Sequence, residues 1–480
     1  MPVGALAVLL LIAASTAPAQ IHRTPMAGRW FPADAGKLTK AVDEAWSAAE
    51  RRSGVAASRR GLAALIVPHA GLAYSGVVAA GAYRLIDRRP RTVIVLAFSH
   101  RLPLEGVATV KVSSFETPAG TVRVDVEAAR ALGFRMVDES AICDHSLENQ
   151  LPFLRKALPE TPIVPLYVGH LDSPSLAAAA KKLAARVQAG DLLIASSDFT
   201  HYGKAYGYTP FPADAKLLSR LHQQAEDAFE TISSSDVAAF DRHLAATGDT
   251  ICGRDPIRLL MATLAGRFYL TTADYDTSAS APDTDASLNV GYAALAFYPA
   301  ASFRVDTGSQ RTLLDRSRAT LNALVNSGGR PAPTQATAEL EQRTGAFVTI
   351  RKNKELRGCI GTLAPRTPLL ATIADRTRAA AFSDPRFPAL TAADLPVSLE
   401  ISLLTPLRRI FQWKAWQPGQ GAVLMLGEHG GLLLPQVATE MGWNREQFLT
   451  GLSRKAGLPA ESYRDPKARL YVFEAQVFGE

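Results

Sequence analysis

The chain has 480 residues, enough for two or three domains, and is 47% hydrophobic and 20% charged, an ordinary balance for a protein that buries real cores. Its net charge of +7 is uneven: residues 1–300 hold 29 basic and 29 acidic side chains, so the whole excess follows residue 300. No Lys/Arg block and no basic stretch interleaved with aromatics occurs, which excludes nucleic acid as an expected partner.

Residues 1–19, MPVGALAVLLLIAASTAPA, pass through an apolar stretch to Ala17-Pro18-Ala19. This has the form of a secretory signal peptide with an A-x-A cleavage site, too short to span a bilayer. An exported, periplasmic protein with no stable membrane span after leader removal is the expectation. The start carries no Lys or Arg, and a misassigned start codon would leave the protein cytoplasmic. The three cysteines, Cys143, Cys252 and Cys359, are an odd number, so in an oxidising compartment at least one sulfur stays unpaired.

From residue 61 onward, short apolar runs rich in β-branched residues alternate with segments of helical composition. ALIV (64–67), TVIVLAF (92–98), PIVPLYV (162–168) and DLLIASS (191–197) read as buried strands, and LAAAAKKLAARVQ (176–188) as a helix. That alternation predicts an α/β fold, a three-layer α-β-α sheet domain over residues 20–300. After a helix, RTLLDRSRATLNALVNS, the stretch Gly328-Gly329-Arg330-Pro331-Ala332-Pro333 leads into a smaller α+β domain within 301–480. It opens with AFVTIRKNKELRGCIGT, a hairpin turned at Lys352-Asn353-Lys354.

Three of the strands run out into histidine. The first delivers His69 within VPHAGLAYSG, the second Ser99-His100, and the fourth Asp198 and His201 within SSDFTHYG. In open α/β sheets ligands bind beyond the carboxyl ends of the strands, so three such histidines face one pocket. Neutral imidazole is the commonest transition-metal ligand, and about three protein ligands hold an ion while leaving room for substrate. The competing reading, that each histidine separately caps a strand, explains any one of them but not three in matching positions. Cys252, in GDTICGRDPI, sits in a tight setting beside Gly253 and is a thiolate ligand or, alternatively, a small buried hydrophobe. In DHSLENQLPFL, Asp144 or Ser146 caps a helix on which His145 and Glu148 share a face, either on the pocket wall or on a capped surface helix.

The segments AGRWFPAD, VPHAGLAYSG, FSH, FETPAG, DHSLENQLPFL, SSDFTHYG and TICGRDPI together resemble the Memo family, in matching order over roughly residues 22–300. That family is similar in fold to class III extradiol dioxygenases, non-haem iron enzymes that open catechol rings with two histidines and a carboxylate on Fe(II). The resemblance implies His69 and His100 as histidine ligands, Cys252 where the dioxygenases carry the carboxylate, and His201, with Asp198 near it, as acid and base. LRGCIGT, AAFSDPRFP, LEISLLTP and GLLLPQVATEMGW resemble the AMMECR family over about 310–480, and the pairing implies a radical-SAM partner protein. Fe(II) is the implied ion, but a thiolate is softer than a carboxylate and moves preference toward Cu or Zn. The expected function is therefore an O₂-dependent oxidoreductase acting on a small-molecule or peptide substrate. A metal-handling protein without turnover, or a docking scaffold, is the alternative. In the second domain Cys359 is a candidate nucleophile, His429 its candidate base and Arg357 a candidate anion ligand, although a buried structural cysteine and an exposed hairpin arginine explain the same residues.

Overall fold

The computed structural model describes residues 20–53, 59–187, 190–281, 287–326 and 337–480. The leader expected over residues 1–19 and the Gly-Pro stretch at 328–333 lie outside the described residues. Among the described residues no helix is long and apolar enough to cross a membrane.

A nine-stranded sheet forms the first domain. Its main path runs His201–Tyr202, Asn289–Pro299, Ala64–Val67, Leu192–Ser196, Val93–Ala97, Ile163–Val168, Val107–Val110, Arg135–Val137, and Phe268–Thr277 pairs on Asn289–Pro299. The four central strands are parallel, so their carboxyl ends open on one edge. Side chains alternate across each strand and feed two separate cores. Leu65, Val67, Val93, Val95 and Ile194 enter one; Ala64, Ile66, Ile94, Leu96 and Leu193 enter the other. Helices Ala35–Ser53 and Leu72–Tyr83 belong to the first face. Ser173–Arg186, Leu217–Ser234 and Arg254–Leu264 cover the second. The four central strands are almost wholly apolar because both faces are buried, with Ser196 a polar exception at a strand end.

The second domain holds two four-stranded sheets. One runs Glu355–Thr362, Ala346–Lys352, Ser398–Leu404, Ala475–Gly479, and the other Arg408–Ile410, Arg469–Phe473, Gly421–Leu426, His429–Leu433. The predicted hairpin forms as a two-residue turn with Asn353 at φ 52° and Lys354 at φ 70°. Both central residues are left-handed, as a type I′ turn requires.

The two domains are joined by more than the chain. Arg59 is buried, its guanidinium 4.1 Å from the Phe303 ring, and it donates to the Ser302 carbonyl (2.8 Å) and to Thr344 Oγ1 (3.2 Å). The Tyr471 hydroxyl donates to Glu230 at 2.6 Å, and that of Tyr269 to Glu474 at 3.0 Å.

Lysine with a positive φ is strained, and glycine is not. Lys354→Gly should therefore raise stability by about 0.5–1 kcal/mol in denaturant unfolding, matching the Asn-Gly pair preferred in this turn. No gain would mean that the Lys354 side chain makes a compensating contact.

Candidate metal centre

The cavity at the carboxyl edge of the sheet has a volume of about 810 Å³ and is lined by His69, His100, His145, Asp198, His201 and Cys252, with Trp30, Tyr74, Tyr206 and Tyr292 among its walls.

His69 follows Pro68, which ends the first strand, and its loop is held from three sides. The Asp198 carboxylate accepts from the His69 and Ala70 backbone amides (2.7 and 3.2 Å). Asn149 donates to the His69 carbonyl at 2.7 Å, and Gln150 to that of Pro68 at 2.9 Å. The Ser196 hydroxyl decides the tautomer. It donates to the Ser146 carbonyl and accepts from Gln150 Nε2 at 2.9 Å, so at 3.0 Å it accepts a further proton, from His69 Nδ1–H. The Nε2 lone pair of His69 is thereby turned to Cys252, whose Sγ lies 3.2 Å away.

His100 is anchored the same way. Its Nδ1 lies 3.3 Å from Asp144 Oδ2, and its amide also donates to that carboxylate. Asp144 is thus the cap among the two candidates, its other oxygen accepting from Ser146 N at 2.9 Å. Histidines that donate Nδ1–H to an outer-shell acceptor present Nε2 as a metal ligand. His145 is sandwiched, stacking on Trp30 at 4.0 Å and on His100 at 4.3 Å. One nitrogen each of His69, His100 and His145 lie within 4.8 Å of one another.

Burial governs the electrostatics. It lowers His69 to about 3, with the neighbouring His100 adding to the effect, and lowers His145 to about 3 with His69 adding. Both rings are neutral near neutrality, the state in which imidazole ligates. Burial also raises Asp198 to about 6 and pushes the Cys252 thiol up. Asp144 goes the other way: burial opposes its ionisation, but the hydrogen bonds from His100 and Ser146 outweigh it.

Cys252 is placed by Gly253. A Cβ at that position would stand 2.3 Å from Ser197 Cβ and 2.7 Å from the Ser196 carbonyl oxygen, so only glycine lets the Cys252 segment close on the strand end. His201 donates from its backbone to Thr250 Oγ1 (2.7 Å), and its Nδ1–H donates to the Thr250 carbonyl (3.1 Å). Thr250, rather than Asp198, orients His201. Glu148 does not line the cavity. The short helix His145–Glu148 faces the N-terminal segment, where Trp30 takes His145 and His22 with Thr24 takes Glu148.

In the second domain Cys359 lines a cleft of about 570 Å³ together with Arg351, Asp384, Arg386, Glu400 and Lys455. Its thiol is raised by burial, its amide donates to Asp384 at 2.8 Å, and it receives Thr349 Oγ1 at 3.2 Å. His429 is exposed and stands beside Gly457, outside the cleft lining. Arg357 is likewise outside it, donating to the Pro388 carbonyl at 2.8 Å and pairing with Asp394 at 3.3 Å.

The sequence matches two known families over most of its length. The chain belongs to the Memo-like protein family, whose profile matches residues 23–296, and carries an AMMECR1 domain at residues 314–478. A MEMO1 family protein of Thermococcus onnurineus is 32% identical, covering 57% of this chain and 97% of the relative. The protein memo-1 homolog of Caenorhabditis elegans is 31% identical over 51% of this chain and 71% of its own length. The crystal structure of the uncharacterized protein PH0010 from Pyrococcus horikoshii is 33% identical, covers 35% of this chain and 89% of that one, and has a TM-score of 0.33.

Two measurements check this geometry. Gly253→Ala should cost about 2–3 kcal/mol as an overpacked contact and speed modification of Cys252 by a thiol reagent. Unchanged stability and reactivity would contradict the close approach. In metal-depleted protein, His69 and His145 take up protons in the unfolded chain from pH 6.5 downward but in the folded chain only near pH 3, so stability falls as pH drops through that window. Asp198 opposes them, because its carboxyl binds a proton more tightly folded than unfolded. His145→Asn should flatten the decline of Tm between pH 6 and 4, and an identical slope would refute the burial-depressed value.

Proposed function

We propose that this chain is a metal-dependent oxidoreductase whose centre uses His69, His100 and Cys252 to hold Fe(II), with His201 moving the proton. The observation that carries this reading is the pairing of His69 Nε2 with Cys252 Sγ at 3.2 Å, with the opposite ring nitrogen of His69 committed to Ser196. In tetrahedral coordination, bond lengths of about 2.0–2.3 Å place neighbouring ligand atoms roughly 3.5 Å apart, so His69 and Cys252 need little movement to share an ion. When bound, a redox-active ion with open positions supplies the means of activating O₂ beside a chelating substrate.

The chain's own groups do the rest. Ser196 and Asp144 keep both histidines in the ligating tautomer. Asp198 ties the His69 loop to the end of the fourth strand and is itself a carboxyl poised close to neutrality. His201, with Nδ1–H bound to the Thr250 carbonyl, keeps Nε2 as the proton acceptor for a substrate hydroxyl. Trp30, Tyr74, Tyr206 and Tyr292 give the cavity flat apolar walls, suited to an aromatic small molecule or an aromatic side chain of a peptide. Family context adds a radical-SAM protein as a working partner, and the leader sequence favours an exported site of action.

A second reading has its own observation. His145 brings a third imidazole within 4.8 Å of the other two, and a three-histidine set suits copper or zinc held without turnover.

Metal analysis of protein purified anaerobically, alongside His69→Ala and Cys252→Ser, separates these. About one iron per chain, reduced at least tenfold in both variants and accompanied by O₂ uptake with a catechol or peptide substrate, is the expected result. Copper or zinc lost in His69→Ala, without O₂ uptake, would select the second reading, and no metal dependent on His69 would reject both. His201→Gln should keep the iron and lose turnover by about 10²–10⁴-fold, the usual worth of a general base. Retained turnover would remove His201 from the reaction.

A further inference from the structure

Close to His145, and sharing its short helix through Glu148, lies a second group of donors that the centre above does not use. A ring nitrogen of His22, the Cys143 thiol and a Glu148 carboxylate oxygen lie within 4.8 Å of one another; Cys143 and Glu148 are fully buried and His22 is half-buried. His22 Nε2 stands 3.2 Å from Glu148 Oε1. The other Glu148 oxygen accepts from the Thr24 hydroxyl, which leaves Oε1 for the shared space. The buried Tyr167 hydroxyl lies against the Cys143 sulfur and interacts with it.

Three independent elements converge here. His22 is on the strand Ile21–Arg23, Cys143 ends the helix Glu139–Ile142, and Tyr167 belongs to the strand Ile163–Val168. Glu148 is fully buried and no Lys or Arg pairs with it among the described residues. A buried carboxylate facing only a neutral imidazole, a thiol and a phenol is costly, because none of these carries the compensating positive charge. A divalent ion does. With one carboxylate and one thiolate the site becomes neutral overall, and the Nε2–Oε1 separation is close to the edge of a tetrahedral coordination shell.

We propose that His22, Cys143 and Glu148, with the Tyr167 hydroxyl at hand, form a second, closed metal site for a zinc-type divalent ion. Its role is structural: it pins the N-terminal strand to the turn that carries His145. The donor set mixes nitrogen, sulfur and oxygen, which suits Zn²⁺ and disfavours Mg²⁺ or Ca²⁺. Binding removes the proton from the Cys143 thiol to solvent and forms the sulfur–metal bond, with no change of oxidation state. Burial raises that thiol in the metal-free protein, and a bound ion would stabilise its thiolate form.

The test uses the full chain carrying His69→Ala and Cys252→Ser, which disables the first centre whatever its function. After dialysis against Zn²⁺ and removal of free ion, this variant should retain about one zinc per chain. Loaded with Co²⁺ instead, it should show a thiolate-to-cobalt charge-transfer band, which Cys143→Ser or His22→Gln added to it reduces at least tenfold. A folded double variant, by near-ultraviolet circular dichroism, with no zinc and no band would overturn the proposal. So would a band that persists after both Cys143→Ser and His22→Gln. Should Cys143→Ser fail to fold, His22→Gln alone decides the assignment.

Discussion

The Ser196 hydroxyl is the bond on which the rest of the site depends. It sits at the end of a central strand and serves three groups at once: the Ser146 carbonyl, the Gln150 amide and the His69 ring. Gln150 in turn takes the Tyr83 hydroxyl at 3.0 Å and gives to the Pro68 carbonyl. Because every partner is buried, each bond is made in a low dielectric where a missing one is expensive. The chain of bonds therefore holds the sheet edge, the His145 turn and the His69 loop in a single arrangement. Metal affinity in such a centre is set as much by this outer network as by the ligands themselves.

The strands were legible because both sheet faces are buried. Four apolar runs, 64–67, 92–98, 162–168 and 191–197, coincide with the observed strands within one residue at each end. The histidines were legible for a related reason: a strand end followed by Pro, Ser-His or Asp is a break in an otherwise continuous apolar pattern. Cys252 was singled out by its neighbour Gly253, and the close backbone approach at Ser196 and Ser197 supplies the reason.

What the sequence concealed is long-range. Asn149 and Gln150 read as ordinary helix residues, yet both carry hydrogen bonds to a loop some eighty positions away. Thr250 orients His201 across a separation of 49 residues, whereas the adjacent Asp198 reaches back to the first strand. Trp30, Tyr74, Tyr206 and Tyr292 come from distant parts of the chain, and no local spacing betrays that they share one cavity. The same is true of Cys359 and its cleft: the sequence offered His429 as a companion, but the hairpin geometry turns that ring elsewhere.

Arg59 belongs to the first domain, yet its guanidinium donors end on Ser302 and Thr344, and its stacking partner is Phe303. The Thermococcus relative is matched over 97% of its length by only 57% of this chain, so a Memo-like domain is a complete protein elsewhere. Here it is not simply carried beside a passenger. Separating the two halves after residue 300 would take from Arg59 both acceptors and its stacking partner and would cut the Glu230 and Glu474 contacts across the joint. The joint is a built interface, and dividing the chain there would uncover the cationic and aromatic surface around Arg59 that the fusion now covers.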